Sequence, residues 1–265
     1  MKINENTAIS TADVLLVPYD SRHVSTYHTW MEDEAVRAAT ASERLTLQEE
    51  YANQISWRAA ADKLTFIVCQ PLLDEDAKRD ARKPIVAGVD DTPDRMVGDI
   101  NFFLYPWEAD GEAEEEDENK GADKATTAAR QQDGIALLYS GEVDVMIARH
   151  ENRGRGLGRA AVTAFLYYIL QQHQTAILDE ATAGSAACVT ARDGDGSVKA
   201  RPPQLRQLIV KIQATNTASR NLFTSLGFQQ NGGVNYFGEV ELVCTNLDVP
   251  APAAYSERVY VQNDA

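Results

Sequence analysis

Several residue types are scarce in this chain of 265 residues, and each scarcity closes off a class of protein. Cysteine occurs three times, as Cys69, Cys188 and Cys244, with two of the three inside apolar strand-like runs (TFIVCQ and VELVC). That suits buried reduced thiols and excludes a disulfide framework or a cysteine zinc site. The four histidines, His23, His28, His150 and His173, lack ligand spacing, so no metal is expected. No apolar run approaches the ~20 residues needed to span a bilayer. The opening MKINENTAIS has neither the cationic nor the apolar part of a secretory signal. The expectation is an intracellular, cytoplasmic protein with no membrane partner.

Positive charge is also short. Lys and Arg number 25 against 40 acids, a formal net charge of −15. Nucleic acid and anionic membranes reward a basic face, so neither is expected as a partner. Residues 108–133 hold ten acids and three bases, a net −7, and read as a solvated run or, less favoured, a docking segment for a basic partner. The 44% of apolar residues suffices for a packed core.

What is present is an alternation of strands and helices. Residues 13–19 (DVLLVPY) read as a first strand with Pro18 at its end, followed by a helical pattern. The spacing Thr46-Leu47-Gln48-Glu49 is that of a capping box, which predicts a helix from Thr46 with Leu47, Tyr51 and Ile55 near one face. Strands are predicted at 63–69, 95–105, 134–149 (one strand, or a hairpin near Gly141), 205–213 and 234–244. Helices are predicted from Leu157 to about Gln172 and over 216–228, the latter with Asn216 as N-cap and Gly227 as stop. Residues 1–247 thus form one α/β domain with a single mixed sheet. Insertions fall at about 71–94, 106–133 and 174–204, and 248–265, with Pro250 and Pro252, form a flexible C-terminal tail.

Residues 142–164 (EVDVMIARHENRGRGLGRAAVTA) stand out, because an alternating strand runs through an Arg- and Gly-rich turn straight into a helix. Unpaired N–H groups and the helix dipole attract anions at such a point. Spacing narrows the ligand. A P-loop needs a lysine and a hydroxyl after its last glycine, and Gly158 is followed by Arg159 and Ala160. A dinucleotide fingerprint needs a third glycine where Arg159 stands. Arg149, Arg153, Arg155 and Arg159 cluster round the turn, and each charge-assisted contact to a phosphate is worth ~1.5–3 kcal/mol.

The pattern Arg153-x-x-Gly156-x-Gly158 between strand and helix, with a later Asn216-x-x-Ser219 and Leu226-Gly227-Phe228, resembles the GCN5-related N-acetyltransferase (GNAT) superfamily. Within it, VLLVPYDSRHV, YHTWM, TASERLTLQEEYANQISW, DKLTFIV, MVGDINFFL and VMIA resemble the eukaryotic N-acetyltransferase nine subfamily, which is associated with tubulin acetylation. The resemblance implies the GNAT fold, a mixed and mostly antiparallel central sheet with helices on both faces. It also implies acetyl-CoA as cosubstrate and direct transfer of acetyl to a protein amine, with tubulin as the acceptor the subfamily suggests. The pyrophosphate would then lie on Arg153, Gly154, Arg155, Gly156, Leu157, Gly158 and Arg159, and the pantetheine arm along the main chain of Met146, Ile147 and Ala148. Asn216, Ser219 and Phe223 would complete the cofactor site.

An acceptor amine must lose a proton before it attacks a thioester, and a carboxylate can take it. Glu142 and Asp144 share one face of the strand entering the cradle. In the superfamily a base glutamate often stands eleven positions before the motif's arginine, as Glu142 does before Arg153. Glu142 is therefore the leading base candidate and Asp144 the second. Many superfamily members carry a tyrosine seven residues after the asparagine as general acid, where this chain has Phe223. Tyr236 or water is left as donor, or none is needed, because a thiol of pKa ~8.5 is a tolerable leaving group. The missing tyrosine keeps open a catalytically weak acetyl-CoA-binding scaffold, and a small-molecule amine remains a possible acceptor class.

Overall fold

The structure, a computed structural model, describes residues 1–72, 80, 82–107, 137–183, 190–192, 198–200 and 202–263. The elements in chain order are β1 (Thr7–Ser10), β2 (Leu15–Pro18), α1 (Val24–Met31), α2 (Glu34–Thr40), α3 (Leu47–Ala59), β3 (Lys63–Cys69), β4 (Ile85–Val86), β5 (Met96–Pro106) and β6 (Leu138–Ile147). After β6 come α4 (Leu157–Tyr167), a π-helical turn (Tyr168–Gln172), α5 (Gln174–Thr182), β7 (Thr190–Arg192), β8 (Val198–Ala200) and β9 (Gln204–Gln213). The chain continues with α6 (Thr217–Thr224), β10 (Gln229–Val234), β11 (Glu239–Cys244) and β12 (Ser256–Val261).

Ten strands form one sheet in the order β10-β11-β9-β6-β5-β3-β2-β1-β12-β4, and β7 pairs with β8 apart from it. Pairing is antiparallel except for β6 with β9 and β12 with β4. Strand periodicity splits the core between the two faces. From β3, Leu64, Phe66 and Val68 join Ile100, Phe102, Val143 and the buried side of α4 on one face. Ile67 and Cys69 join Met96, Met146, Trp30 and Val36 on the other, the side that carries α1 and α2. Helices therefore cover both faces of a mostly antiparallel sheet. No helix of the described residues is long and apolar enough to cross a membrane.

The capping box at α3 forms as its spacing predicts: Glu49 N–H donates to Thr46 Oγ1 and Thr46 N–H to the Glu49 carboxylate. The buried face differs from the expected one. Leu47, Tyr51 and Ile55 are exposed, while Glu50 and Gln54 are buried. The reason is polar: the helix lies over the end of β2, where the Tyr19 carbonyl needs a donor, and Gln54 Nε2 supplies it at 3.0 Å.

For the described part of 134–149, the expected alternative resolves in favour of one strand, since β6 (Leu138–Ile147) continues through Gly141 without turning. The 174–204 insertion opens with α5, whose Ile177 and Leu178 are buried in the core. Expected as a loose tail, 248–265 contains β12, paired at Ser256–Val259 with β1 and at Tyr260–Val261 with β4. Its anchor is a buried network: the Tyr260 hydroxyl donates to Asp91 Oδ2 at 2.5 Å, and His23 Nε2 lies 2.9 Å from the same oxygen. Because Asp20 N–H donates to His23 Nδ1, the neutral ring carries its proton on Nε2 and donates it to Asp91. The acidic run 108–133, Cys188 and parts of all three expected insertions lie outside the described residues.

Candidate active site

The chain takes the strand–turn–helix layout that the spacing suggests between β6 and α4. Gly154 and Gly156 hold φ of +69° and +86°, a region a side chain enters at ~1–2 kcal/mol, and Gly156 is the residue that opens α4. A cavity of about 710 Å³ lies against this end of the helix. Arg155, Gly156, Leu157, Arg159, Ala160 and Asn152 line it on one side, and Thr11 to Asp13 with Pro252 and Ala253 on the other.

The four arginines of the turn have different jobs. Arg153 turns inward, donating from Nε to the Ile147 carbonyl at 2.8 Å and from Nη2 to the Ala148 carbonyl at 3.0 Å, so it ties the strand end to the turn and does not face the cavity. Arg149 donates to the Pro93 carbonyl, and Arg159 donates to Ser225 Oγ at 2.6 Å. Among the described residues, Arg155 has a single 3.5 Å contact, with Asn152 Oδ1. Arg155 and Arg159 are thus the cations that the cavity receives.

From the cradle a gap leads along β6. Parallel pairing of β6 with β9 stops at Glu142–Ile209, so β6 runs on to Ile147 with that edge unpaired among the described residues. Ala148 N–H donates across the other edge to the Val97 carbonyl at 2.9 Å. By the alternation of an antiparallel ladder, Met146, paired with Asp99, turns its main chain the same way, which leaves Val145 and Ile147 facing the gap. The side chains of Met146 and Ala148 are buried on the α1 face. Gly158 sits beside the gap: a Cβ there would stand 3.6 Å from Leu222 and 3.7 Å from Ile147, ordinary contact distances.

Asn216 caps α6, its Oδ1 accepting from Ser219 N–H at 3.1 Å. Phe223 is 2% exposed and meets the Phe228 ring edge-on at 5.2 Å. It is a core residue, not part of a channel wall, because its place on α6 points it into the sheet. Tyr236 is 97% exposed at the β10–β11 turn.

The carboxylates lie on the α1 side of the sheet, at the foot of the gap. Glu142 is held by Lys211 Nζ at 2.8 Å, and that ammonium also sits 5.9 Å from the Tyr105 ring centroid. Asp144 stands two residues along the same face, reached by solvent yet walled by protein. Desolvation there, and then the charge of Glu142, push its carboxyl up to about 6. A third acid escaped the sequence reading. Asp99 of β5 is 2% exposed, and burial followed by the charge of Asp144 pushes it up to about 7. Its Oδ2 accepts from Asn101 Nδ2 at 2.9 Å and from the Tyr27 hydroxyl at 3.4 Å. The available signal was an aspartate in the middle of the apolar strand MVGDINFF, since such a residue is buried only with partners.

The comparisons with known proteins agree with this geometry. The family model of the acetyltransferase (GNAT) domain matches residues 13–229. The N-acetyltransferase 9-like protein of Schizosaccharomyces pombe is 36% identical over 91% of this chain and 97% of its own length. The alpha/beta-tubulin-N-acetyltransferase 9 of Drosophila melanogaster is 34% identical over 91% and 88%, and the human protein of that name 40% over 63% of each. Among solved structures, a GNAT-family acetyltransferase from Bacillus anthracis superposes with a TM-score of 0.50 at 11% identity, covering 90% of this chain and 98% of that one, a likeness of fold alone. A family match that spans the cradle, the gap and the carboxylates shows that this chain belongs to the GNAT family and is an acetyltransferase.

Proposed function

We propose that the chain transfers the acetyl group of acetyl-CoA to a protein amine by direct attack within a ternary complex. The observation that carries this reading is the unpaired edge of β6 beyond Glu142, continuous with the anion cradle at the start of α4. The pyrophosphate and 3′-phosphate of coenzyme A suit the N–H groups of the turn together with Arg155 and Arg159. The amides of the pantetheine arm suit the Val145 and Ile147 main chain, where an N–H also stands ready to polarise the thioester carbonyl. The carboxylates of β6 supply the proton acceptor. No tyrosine is required for the thiolate, given its modest basicity. Tubulin is the acceptor suggested by the names of the relatives, and its terminal amine suits a cleft rich in carboxylates.

Calorimetry with acetyl-CoA and mass spectrometry of a tubulin N-terminal peptide test the proposal together. Arg155→Glu is expected to weaken acetyl-CoA binding at least tenfold, because it places an anion in the cradle. Unchanged affinity would sink the phosphate assignment. A chain that binds acetyl-CoA and acetylates neither the peptide nor a polyamine at any pH is a scaffold.

A further inference from the structure

We propose that Asp144 and Asp99 act as one proton-accepting pair, with Asp144 touching the acceptor ammonium and Asp99, a positioning residue, sharing the proton. This deepens the acetyl-transfer reading above and rests on it. Three observations lead there.

The first is register. Asn101 lies opposite Asp144 and Asp99 opposite Met146, so the two aspartates are diagonal neighbours on one face, roughly 7–8 Å apart at the backbone, and the charge of Asp144 acts on Asp99. The second is the distribution of cations. Glu142, one step nearer the foot of the gap, is already paired with the Lys211 ammonium at 2.8 Å, so an incoming ammonium would have to compete with that partner. Neither aspartate has such a partner among the described residues. Asp99 has neutral donors, and Asn101 is itself held by the Thr65 hydroxyl at 2.8 Å.

The third observation comes from the helices above. Glu50 of α3 is 2% exposed, and no donor reaches its carboxylate among the described residues. Burial raises its pKa, while His28 of α1 lowers it. Tyr27 of α1 feels the charges of Asp99, Glu50 and Asp144 together, and Tyr19, 5.4 Å from Tyr27 between ring centroids, feels Glu50 and Asp99. The groups facing the pair are therefore Glu142 with Lys211, Glu50 with His28, and two tyrosines. Carboxylates outnumber cations, and a primary ammonium from outside redresses the balance.

The chemistry balances. The acceptor R–NH3⁺ gives one proton to the Asp144 carboxylate, which exchanges it with Asp99 and then with solvent. The free amine attacks the thioester carbonyl, the C–N bond forms as the C–S bond breaks, and the second N–H proton leaves with the thiolate as the coenzyme A thiol. Burial and the charge of neighbouring carboxylates raise both carboxyls above the usual aspartate range, toward neutrality, which suits a base working there.

The test is the pH profile of kcat/KM for acetyl-CoA and a tubulin N-terminal peptide, with the full chain. Asp144→Asn is expected to lose at least about 100-fold at every pH. Asp99→Asn keeps the turnover chemistry but moves the acid limb down by about one pH unit, because a negative neighbour is gone. Glu142→Gln lowers the acid limb without abolishing it, because the charge of Glu142 helps to raise Asp144, and loses less than about tenfold. Acetyl-CoA affinity and melting temperature, measured for each variant, separate these effects from misfolding, and if Asp144→Asn fails to fold the other two profiles decide. An active Asp144→Asn, an acid limb that Asp99→Asn leaves in place, or one abolished by Glu142→Gln overturns the pair. A wild type that acetylates no amine overturns the transfer reading, and the pair falls with it.

Discussion

Gly98 offers a stringent test of how closely β5 and β6 approach beside the gap. A Cβ at this position would stand 1.8 Å from the Met146 carbonyl oxygen, 2.8 Å from its carbon and 3.1 Å from Ile147 Cα. All three are backbone atoms, so no rotamer change relieves the contact. Restoring an ordinary separation of 3.4 Å requires the strands to part by about 1.6 Å, which stretches the neighbouring 2.9 Å bond from Ala148 N–H to the Val97 carbonyl beyond bonding range. Overpacking of this kind costs about 1–3 kcal/mol, and each ladder bond lost about 1 kcal/mol more. Gly98→Ala is therefore expected to lose roughly 2–5 kcal/mol, or on the order of 5–15 °C in melting temperature for a chain of this size. The same displacement moves Ile147, so kcat/KM should fall on the order of 100-fold in the surviving folded protein. Gly158→Ala is the control, since its Cβ would make contacts of 3.6 and 3.7 Å. It should leave the melting temperature within about 2 °C while crowding the gap and weakening acetyl-CoA binding. Calorimetric melting and acetyl-CoA titration of both variants read this out. A Gly98→Ala protein that melts and turns over like wild type would refute the close-approach reasoning.

Other expectations follow from the same structure. Tyr260→Phe removes a donor to buried Asp91 and should cost about 1–3 kcal/mol by chemical denaturation, with kcat/KM unchanged because the network is remote from the carboxylates of β6. Phe223→Tyr should lower stability by a similar amount and leave kcat no higher, since a hydroxyl at a 2% exposed core position finds no thiolate; a rise in kcat would show the site to be catalytic. Asp99 has a folded pKa raised above its unfolded value, so the folded state binds more protons between about pH 4 and 7 and loses stability as pH rises through that window. Asp99→Asn should therefore gain roughly 1–4 kcal/mol over wild type at pH 8, with the advantage gone below pH 4; denaturant melts at the two pH values check the sign.

The turn between β6 and α4 was legible in the sequence because it is local. A Gly156 that must take a positive φ, a helix start and a preceding strand are contiguous in the chain, and so is the Thr46–Glu49 capping box. The two glycines and the cap of α6 were readable for the same reason. What the chain alone did not reveal is whatever depends on pairing between distant segments. β12 lies after two prolines and becomes a strand only because β1 and β4 supply its partners. The buried face of α3 is set by the Tyr19 carbonyl, a group from another element, against the helix's own apolar stripe. The same holds for the proton chemistry. Glu142 satisfies the motif offset, but Lys211, 69 positions further on, takes its charge, while Asp99 reaches Asp144 only through the register of β5 on β6. Backbone geometry in a turn is encoded by the residues of that turn. The basicity of a carboxylate is encoded by its neighbours in space, and tertiary structure alone assembles those.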